Sequence, residues 1–392
     1  MDSMQFAMFI PTRLLFGAGQ LNNLKNCAMP GKKAMLVISN GKSTKANGYL
    51  GRTEEQLREA GVESVVFDKI EANPLKSTVM AGGDFARAQG CDFIVALGGG
   101  SCMDAAKAIA VVATNDGDLW DYVALGTGKG KPIANKPLPI IAITTTAGTG
   151  SEIDNGGVIT NSETNEKTAI GSEQLFPVIS IVDPELMTTV PPHFTAFQGF
   201  DAFLQAVEGY ISKGANPMGD MLALTAIENI GKYLPIAVQD GKDMEARAKV
   251  AFANTLSGMV MDVGPLTSEH ALEHALSAFH QNLPHGAGLI MISRAFFTHF
   301  IEKSVSPDRF VRMAKAMGMD GAKEAKDFIT ALVALQERCG VSNLKMSDYG
   351  IVPDEFSKMA QNARDSMRPL FDFDPIPLSH EDCVKIYELS YK

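Results

Sequence analysis

Apolar positions along the chain follow two rhythms. In the first half, short runs rich in Val and Ile occupy residues 34–38, 64–67, 93–97, 139–143 and 178–182. Such runs are expected of strands buried on both faces of a parallel sheet. Between them, residues 53–60, 78–89 and 103–113 carry apolar side chains at helical spacing. Strand and helix in alternation imply βαβ units and an open parallel sheet covered by helices. Ligands of such sheets gather at the carboxyl ends of the strands. After Asp183-Pro184 the rhythm changes. Residues 202–211, 218–233, 244–261, 269–279, 287–301, 307–317 and 322–339 all read as helices, with no further Val/Ile run. The pattern therefore predicts an α/β domain over residues 1–185 and an all-α domain over residues 186–392.

Composition narrows the class of protein. An apolar content of 45% and a net charge of −10 over 392 residues exclude a disordered chain and suit one with a large buried core. The excess of acids has the wrong sign for a general binder of nucleic acid or anionic membrane. No apolar run approaches the ~18 residues of a membrane span, and the opening Met1-Asp2-Ser3-Met4 lacks a basic leader. Five scattered cysteines without a CxxC fit reduced thiols in a cytoplasmic protein.

Candidate chemistry begins with glycine. Ile94-Val95-Ala96-Leu97 runs into Gly98-Gly99-Gly100-Ser101, and a helix follows with Asp104 and Lys107. Glycines between a strand and a helix start let backbone N–H groups approach a phosphate, aided by the helix dipole. This order favours phosphate binding over a plain tight turn, with Ser101 as the expected helix cap. A second loop, from Thr144-Thr145-Thr146 through Gly148-Thr149-Gly150 to Glu152, follows another strand and suits a polar ligand. Gly17-Ala18-Gly19 lacks the βαβ context of a dinucleotide fingerprint. The stretch from Gly126 to Lys131 lacks Walker A spacing and reads as a mobile surface loop. Trp120 reads as a packing residue, and Cys102, with no base beside it, as a small buried one.

Histidine is the other signal. Four of the seven histidines, His270, His274, His280 and His285, fall within sixteen residues. His270 and His274 share a helix face, and His285 opens the next helix. Asp201 and Gln205, also i, i+4, stand at the expected start of the first helix of this half. Pooled on facing helices, a carboxylate and imidazoles suit a divalent transition metal. Ordinary core histidines are the bland alternative. His270-Ala271-Leu272-Glu273-His274 also matches the HxxEH pattern of certain zinc peptidases, but that reading leaves the α/β half without a role.

Taken together, these motifs resemble the iron-containing (group III) alcohol dehydrogenase family over essentially the whole chain. The resemblance rests on Phe16 to Gly19, Gly98 to Ser101 with Asp104 and Lys107, and Thr145 to Glu152. It continues through Asp183-Pro184, Gly199 to Ala202, Glu208 to Tyr210, and His270 to Gly286. It implies a Rossmann-like N-terminal domain and an all-α C-terminal domain, an architecture like that of dehydroquinate synthase. The implied activity is reversible oxidation of a small alcohol to an aldehyde or ketone, with hydride passing to or from NAD or NADP. A divalent metal, Fe or Zn, would assist as a Lewis acid. By this resemblance Gly98, Gly99, Gly100 and Ser101 hold the pyrophosphate, Asp104 belongs to the cofactor site, Thr144, Thr145 and Thr149 line the cofactor, and His274 relays the proton. The implied metal ligands are Asp201, His270 and His285, with Gln205 where the family has a fourth ligand, a histidine. Gly41 stands at the family's usual Asp position, and with Lys42 and Lys45 nearby the loop leans toward NADP. A homo-oligomer is the implied assembly. The alternative is a cofactor-binding protein of the same fold whose metal site is weakened or lost through Gln205.

Overall fold

A computed structural model describes residues 4–392. The chain divides into two compact units. One is formed by Ile10–Thr146 with Gly150–Thr189, the other by Val190–Lys392 with Ala147–Thr149 and the stretch ending at Phe9.

The first unit is built on a six-stranded sheet. Its strands are β1 (Arg13–Phe16), β2 (Lys33–Ser39), β3 (Glu63–Ile70), β4 (Phe93–Gly98), β5 (Ile140–Thr144) and β8 (Ile179–Val182); β6 (Gly156–Asn161) and β7 (Glu166–Gly171) make a separate antiparallel hairpin. All five predicted runs are strands. The sheet order is β1-β8-β5-β4-β2-β3, parallel throughout. Helices α1 (Ser43–Ala46), α2 (Tyr49–Glu59), α3 (Lys76–Gln89) and α4 (Gly100–Val112) fill the connections. The central residues of β2, β4 and β5 are buried on both faces, which is why they read as unbroken apolar runs.

Strand order positions the candidate loops. From β2 the chain steps outward to β3, then returns to place β4 on the other side of β2. The crevice between β2 and β4 is therefore the topological switch point, where sheets of this kind bind ligands. Gly41 and Lys42 follow β2, and Gly99 to Ser101 follow β4.

Two short elements escaped the apolar pattern. β1 is a four-residue edge strand, and the β6–β7 hairpin is broken up by Gly and Thr. The glycine that follows β1 has a structural purpose: Gly19 (φ 78°) turns the chain so that its N–H, with that of Leu21, donates to the Asp183 carboxylate, both at 3.1 Å. Asp183 thus clamps the chain start to the end of β8.

The stretch from Gly126 to Lys131, expected to be mobile, is tethered instead. Thr127 N–H donates to Glu166 Oε1 at 2.7 Å, and Lys129 and Lys131 pair with Asp121 at 2.7 and 2.8 Å. Trp120 is buried and its indole N–H donates to Glu166 Oε2 at 3.2 Å, in keeping with a packing role.

The second unit is helical, as the pattern predicts. It contains α5 (Pro192–Ile211), α6 (Pro217–Gln239), α7 (Met244–Val263), α8 (Glu269–Phe279), α9 (His285–Glu302), α10 (Pro307–Ala316), α11 (Lys326–Arg338), α12 (Phe356–Ser366), α13 (Arg368–Asp372) and α14 (His380–Ser390). Helix α5 begins at Pro192, well before Asp201, so Asp201 and Gln205 lie in its interior and not at its start. No helix among the described residues is long and apolar enough to cross a membrane.

Candidate active site

The glycine loop and the threonine loop lie against each other in the first unit. Thr145 N–H donates to Gly98 O at 2.9 Å. A Cβ on Gly98 would sit 2.5 Å from Cys102 Sγ, and one on Gly99 would sit 2.9 Å from Thr146 Oγ1. Any larger residue would close this approach. Helix α4 starts at Gly100 with Gly99 as its cap, and no side chain caps it, so Ser101 lies in the first turn and is not the cap expected from sequence. Thr144 is buried with its hydroxyl donating to Thr146 O at 2.8 Å, which shapes the turn from inside. Thr145 is half-buried.

Asp104 and Lys107 both bond Ser151 at the end of the threonine loop. Asp104 accepts from Ser151 Oγ at 2.7 Å and from Val158 N–H at 3.0 Å. Both its oxygens are thereby used inside the protein, where they tie helix α4 to Ser151 and Val158. Burial, against the pull of Lys107, raises its carboxyl to about 6. Lys107 is fully buried and donates to Ser151 Oγ (2.8 Å), Asp154 Oδ1 (2.5 Å) and Gly156 O (2.6 Å). This staple binds the helix behind the glycine loop to the segment after the threonine loop.

At the end of β2, Gly41 and Lys42 are exposed. Lys45 is paired with Asp68 on β3 at 2.5 Å. Hydrogen bonds from Lys45 and then Lys69 hold the Asp68 carboxyl down at about 2.

The second unit gathers the acid and imidazole residues. On α5, Asp201, Gln205 and Glu208 recur at i, i+4 and i+7 and share one face. A Cβ on Gly286 would collide with Phe197 O, so the bare backbone lets the start of α9 press against α5 and carries His285 toward Asp201. His270 Nε2 lies 3.4 Å and His285 Nε2 3.6 Å from Asp201 Oδ1. The three ligand atoms fall within 4.8 Å of one another. His274 lies beside them, its ring centroid 5.3 Å from that of His285 and 6.3 Å from that of His270. His280 is not part of the cluster; it pairs with Glu355 at 3.0 Å.

Gln205 borders the same group. Its Nε2 donates to Asp201 Oδ1 at 3.0 Å and to Thr149 O at 3.3 Å, while its Oε1 is buried with no partner among the described residues. Thr149 therefore meets this cluster through its carbonyl. An unsatisfied buried amide oxygen costs about 1–3 kcal/mol. Turning the amide over exchanges its two ends and would aim that oxygen where the Asp201 and imidazole atoms converge. The residues present thus fit a divalent cation: one carboxylate, two imidazoles and an amide oxygen in need of a partner.

Sequence reasoning did not assign two carboxylates that the structure brings in. Glu208 Oε1 contacts His270 Nδ1, and Glu273 Oε2 contacts His285 Nδ1. Glu208 also accepts from Thr267 Oγ1 at 2.8 Å. The available signal was positional: Glu208 lies two turns beyond Asp201 on its face. Burial works against a charged His270, but Glu208 and Asp201 outweigh it and hold its pKa well above 6.5.

A parallel sheet with a glycine loop at its switch point and a helical unit carrying an acid–imidazole cluster suit a two-unit protein for a nucleotide and a divalent metal. Comparison with known proteins narrows it. Residues 11–184 match the family described as iron-containing alcohol dehydrogenase, and residues 195–391 match the C-terminal part of the Fe-containing alcohol dehydrogenase family. The chain is 36% identical over 374 residues to the 1,3-propanediol dehydrogenase of Klebsiella pneumoniae, covering 93% of each. It is 36% identical over 371 residues to the choline dehydrogenase of Bacillus subtilis, covering 92% of this chain and 90% of that one. The crystal structure of an archaeal halo-thermophilic alcohol dehydrogenase from a Red Sea brine pool superposes with a TM-score of 0.94 at 35% identity, over 100% of both chains. The chain belongs to the iron-containing alcohol dehydrogenase family and is an oxidoreductase.

Proposed function

We propose that the protein interconverts a small alcohol and its aldehyde or ketone with NAD or NADP, using a divalent metal, iron or zinc. The observation that carries this reading is the convergence of Asp201 Oδ1, His270 Nε2 and His285 Nε2 from three helices. Asp201, His270 and His285 would hold the metal, with Gln205 contributing its amide oxygen. Bound there, a divalent cation supplies Lewis-acid stabilisation of charge on the substrate oxygen. The chain's own part is to hold and move a proton: His274, buried beside the ligand cluster, is the residue assigned to exchange the hydroxyl proton. The glycine loop, Gly98 to Ser101, would receive the pyrophosphate on backbone N–H groups, with Thr145 and Thr149 lining the cofactor and Lys107 holding the loops in register. In this reading residues 1–185 form the nucleotide-binding domain and residues 186–392 the metal-binding domain. It also carries a cytoplasmic location, resting on the five free cysteines, and a homo-oligomeric state, resting on the family resemblance. Nothing in the site favours a protein that binds cofactor without catalysis.

The test is metal analysis of protein purified without chelator, followed by NAD(P)H turnover with a panel of short aldehydes and diols. Bound iron or zinc with turnover is the expected result. No turnover after loading iron, zinc or manganese would sink the reading.

Cofactor preference leans to NADP. Gly41 offers no acid for the ribose 2′-hydroxyl. Lys45 is engaged by Asp68, which leaves Lys42 as the cation for a 2′-phosphate. A Cβ at position 41 meets Ser39 Oγ at 3.4 Å, an ordinary contact, so the backbone there admits Gly41→Asp. It should turn the ratio of KM values toward NADH by about tenfold or more, the range of one lost charge-assisted contact. Equal KM values for NADPH in the two proteins would remove position 41 from cofactor choice.

A further inference from the structure

Both imidazoles of the cluster have the same arrangement. Each turns Nε2 toward Asp201 Oδ1 and presents Nδ1 to a buried carboxylate on another helix. His270 of α8 meets Glu208 of α5, and His285 of α9 meets Glu273 of α8. Glu273 is fully buried and seats against bare backbone: a Cβ on Gly288 would lie 2.7 Å from Glu273 Cγ and 2.9 Å from its Oε1. Gly288 follows His285 by three residues on α9, so the glycine that makes room for the carboxylate shares a face with the histidine that receives it. A carboxylate on the far nitrogen of a metal-binding imidazole fixes its tautomer and orientation and raises its donor strength. Gln205 is neutral and a weaker donor than an imidazole.

We propose that Glu273, seated on Gly288, is a positioning residue for the metal site. It holds His285 with Nε2 toward Asp201 and supplies donor strength and negative charge that Gln205 does not. The proposal rests on the reading of Asp201, His270 and His285 as metal ligands. It gives the Glu of the HxxEH stretch a role without peptide hydrolysis. It also makes positions 205 and 273 interdependent: a fourth imidazole at 205 should lessen the need for Glu273.

The test uses the full chain, stripped of metal and titrated with Co(II) alone. The readouts are the dissociation constant, from chelator competition, and the visible ligand-field spectrum; melting of the metal-free protein serves as the folding control. Glu273→Gln should weaken Co(II) binding by about 10–100-fold and alter the spectrum, with no loss of metal-free stability. Gly288→Ala, which crowds the carboxylate while leaving it charged, should weaken binding in the same direction. Gln205→His should shrink the effect of Glu273→Gln. Tight wild-type binding that Glu273→Gln leaves unchanged in affinity and spectrum overturns the proposal, and so does a loss confined to metal-free melting. A loss of affinity that is equal with and without the Gln205→His substitution overturns the interdependence. Absence of tight binding in the wild type overturns the reading of the ligand cluster, and this proposal with it.

Discussion

Asp201→Ala should leave the purified protein without metal and lower kcat/KM by about a thousandfold or more, the scale of several kcal/mol of lost Lewis-acid stabilisation. Asp201 is the one carboxylate of the candidate ligand set, and Oδ1 is its common atom. Gln205 Nε2 stands 3.0 Å from it, His270 Nε2 3.4 Å and His285 Nε2 3.6 Å. Removing it leaves two neutral donors and an amide, too weak a set to retain iron or zinc through purification. It also removes one of the two carboxylates that face His270. Metal content by mass spectrometry and steady-state kinetics check the outcome. A variant that retains stoichiometric metal would show that Asp201 is not a ligand.

The second large effect concerns folding. Lys107→Met should destabilise the first unit by about 3–5 kcal/mol, the usual cost of removing one partner from a buried ion pair. The ammonium satisfies Ser151, Asp154 and Gly156 together, and a methionine thioether can donate to none of them. Lys107→Met combined with Asp154→Leu should recover part of the loss, because the stranded carboxylate is then gone too. Denaturant unfolding of the single and double variants is the check, and a single variant as stable as the parent would contradict it. Any Lys107 variant that folds should also raise the KM for cofactor more than it lowers kcat, since the staple sits behind the glycine loop.

The sheet was legible because its central strands are buried on both faces. Lys33–Ser39, Phe93–Gly98 and Ile140–Thr144 have almost no polar position to disguise them. Arg13–Phe16 was not legible: four half-exposed residues carry no period. The helices His380–Ser390 and Phe356–Ser366 escaped for a different reason, their few apolar positions being outnumbered by polar and charged ones. Among site residues, the histidine cluster and the glycine loop could be seen as concentrations of one residue type. Glu208 shared the face of Asp201, but neither its partner nor that of Glu273 could be read, because a carboxylate's partner across a helix pair is set by packing. Asp104 shows the same limit. It lies in the right motif, yet only the fold reveals that both its oxygens are used by Ser151 and Val158.

The clamp between Gly19 and Asp183 also bears on how the chain is made. These residues are separated by 164 positions, and among the described residues β1 has no partner in the sheet except β8. At a synthesis rate of about 5–20 residues per second, the first strand waits roughly 8–33 s for its neighbour to emerge. During that interval Leu14, Leu15 and Phe16 have no strand to pair with, while β2, β3, β4 and β5 can already assemble. The sheet is therefore completed from its β3 edge toward β1, and its earliest-made strand is the last to be seated.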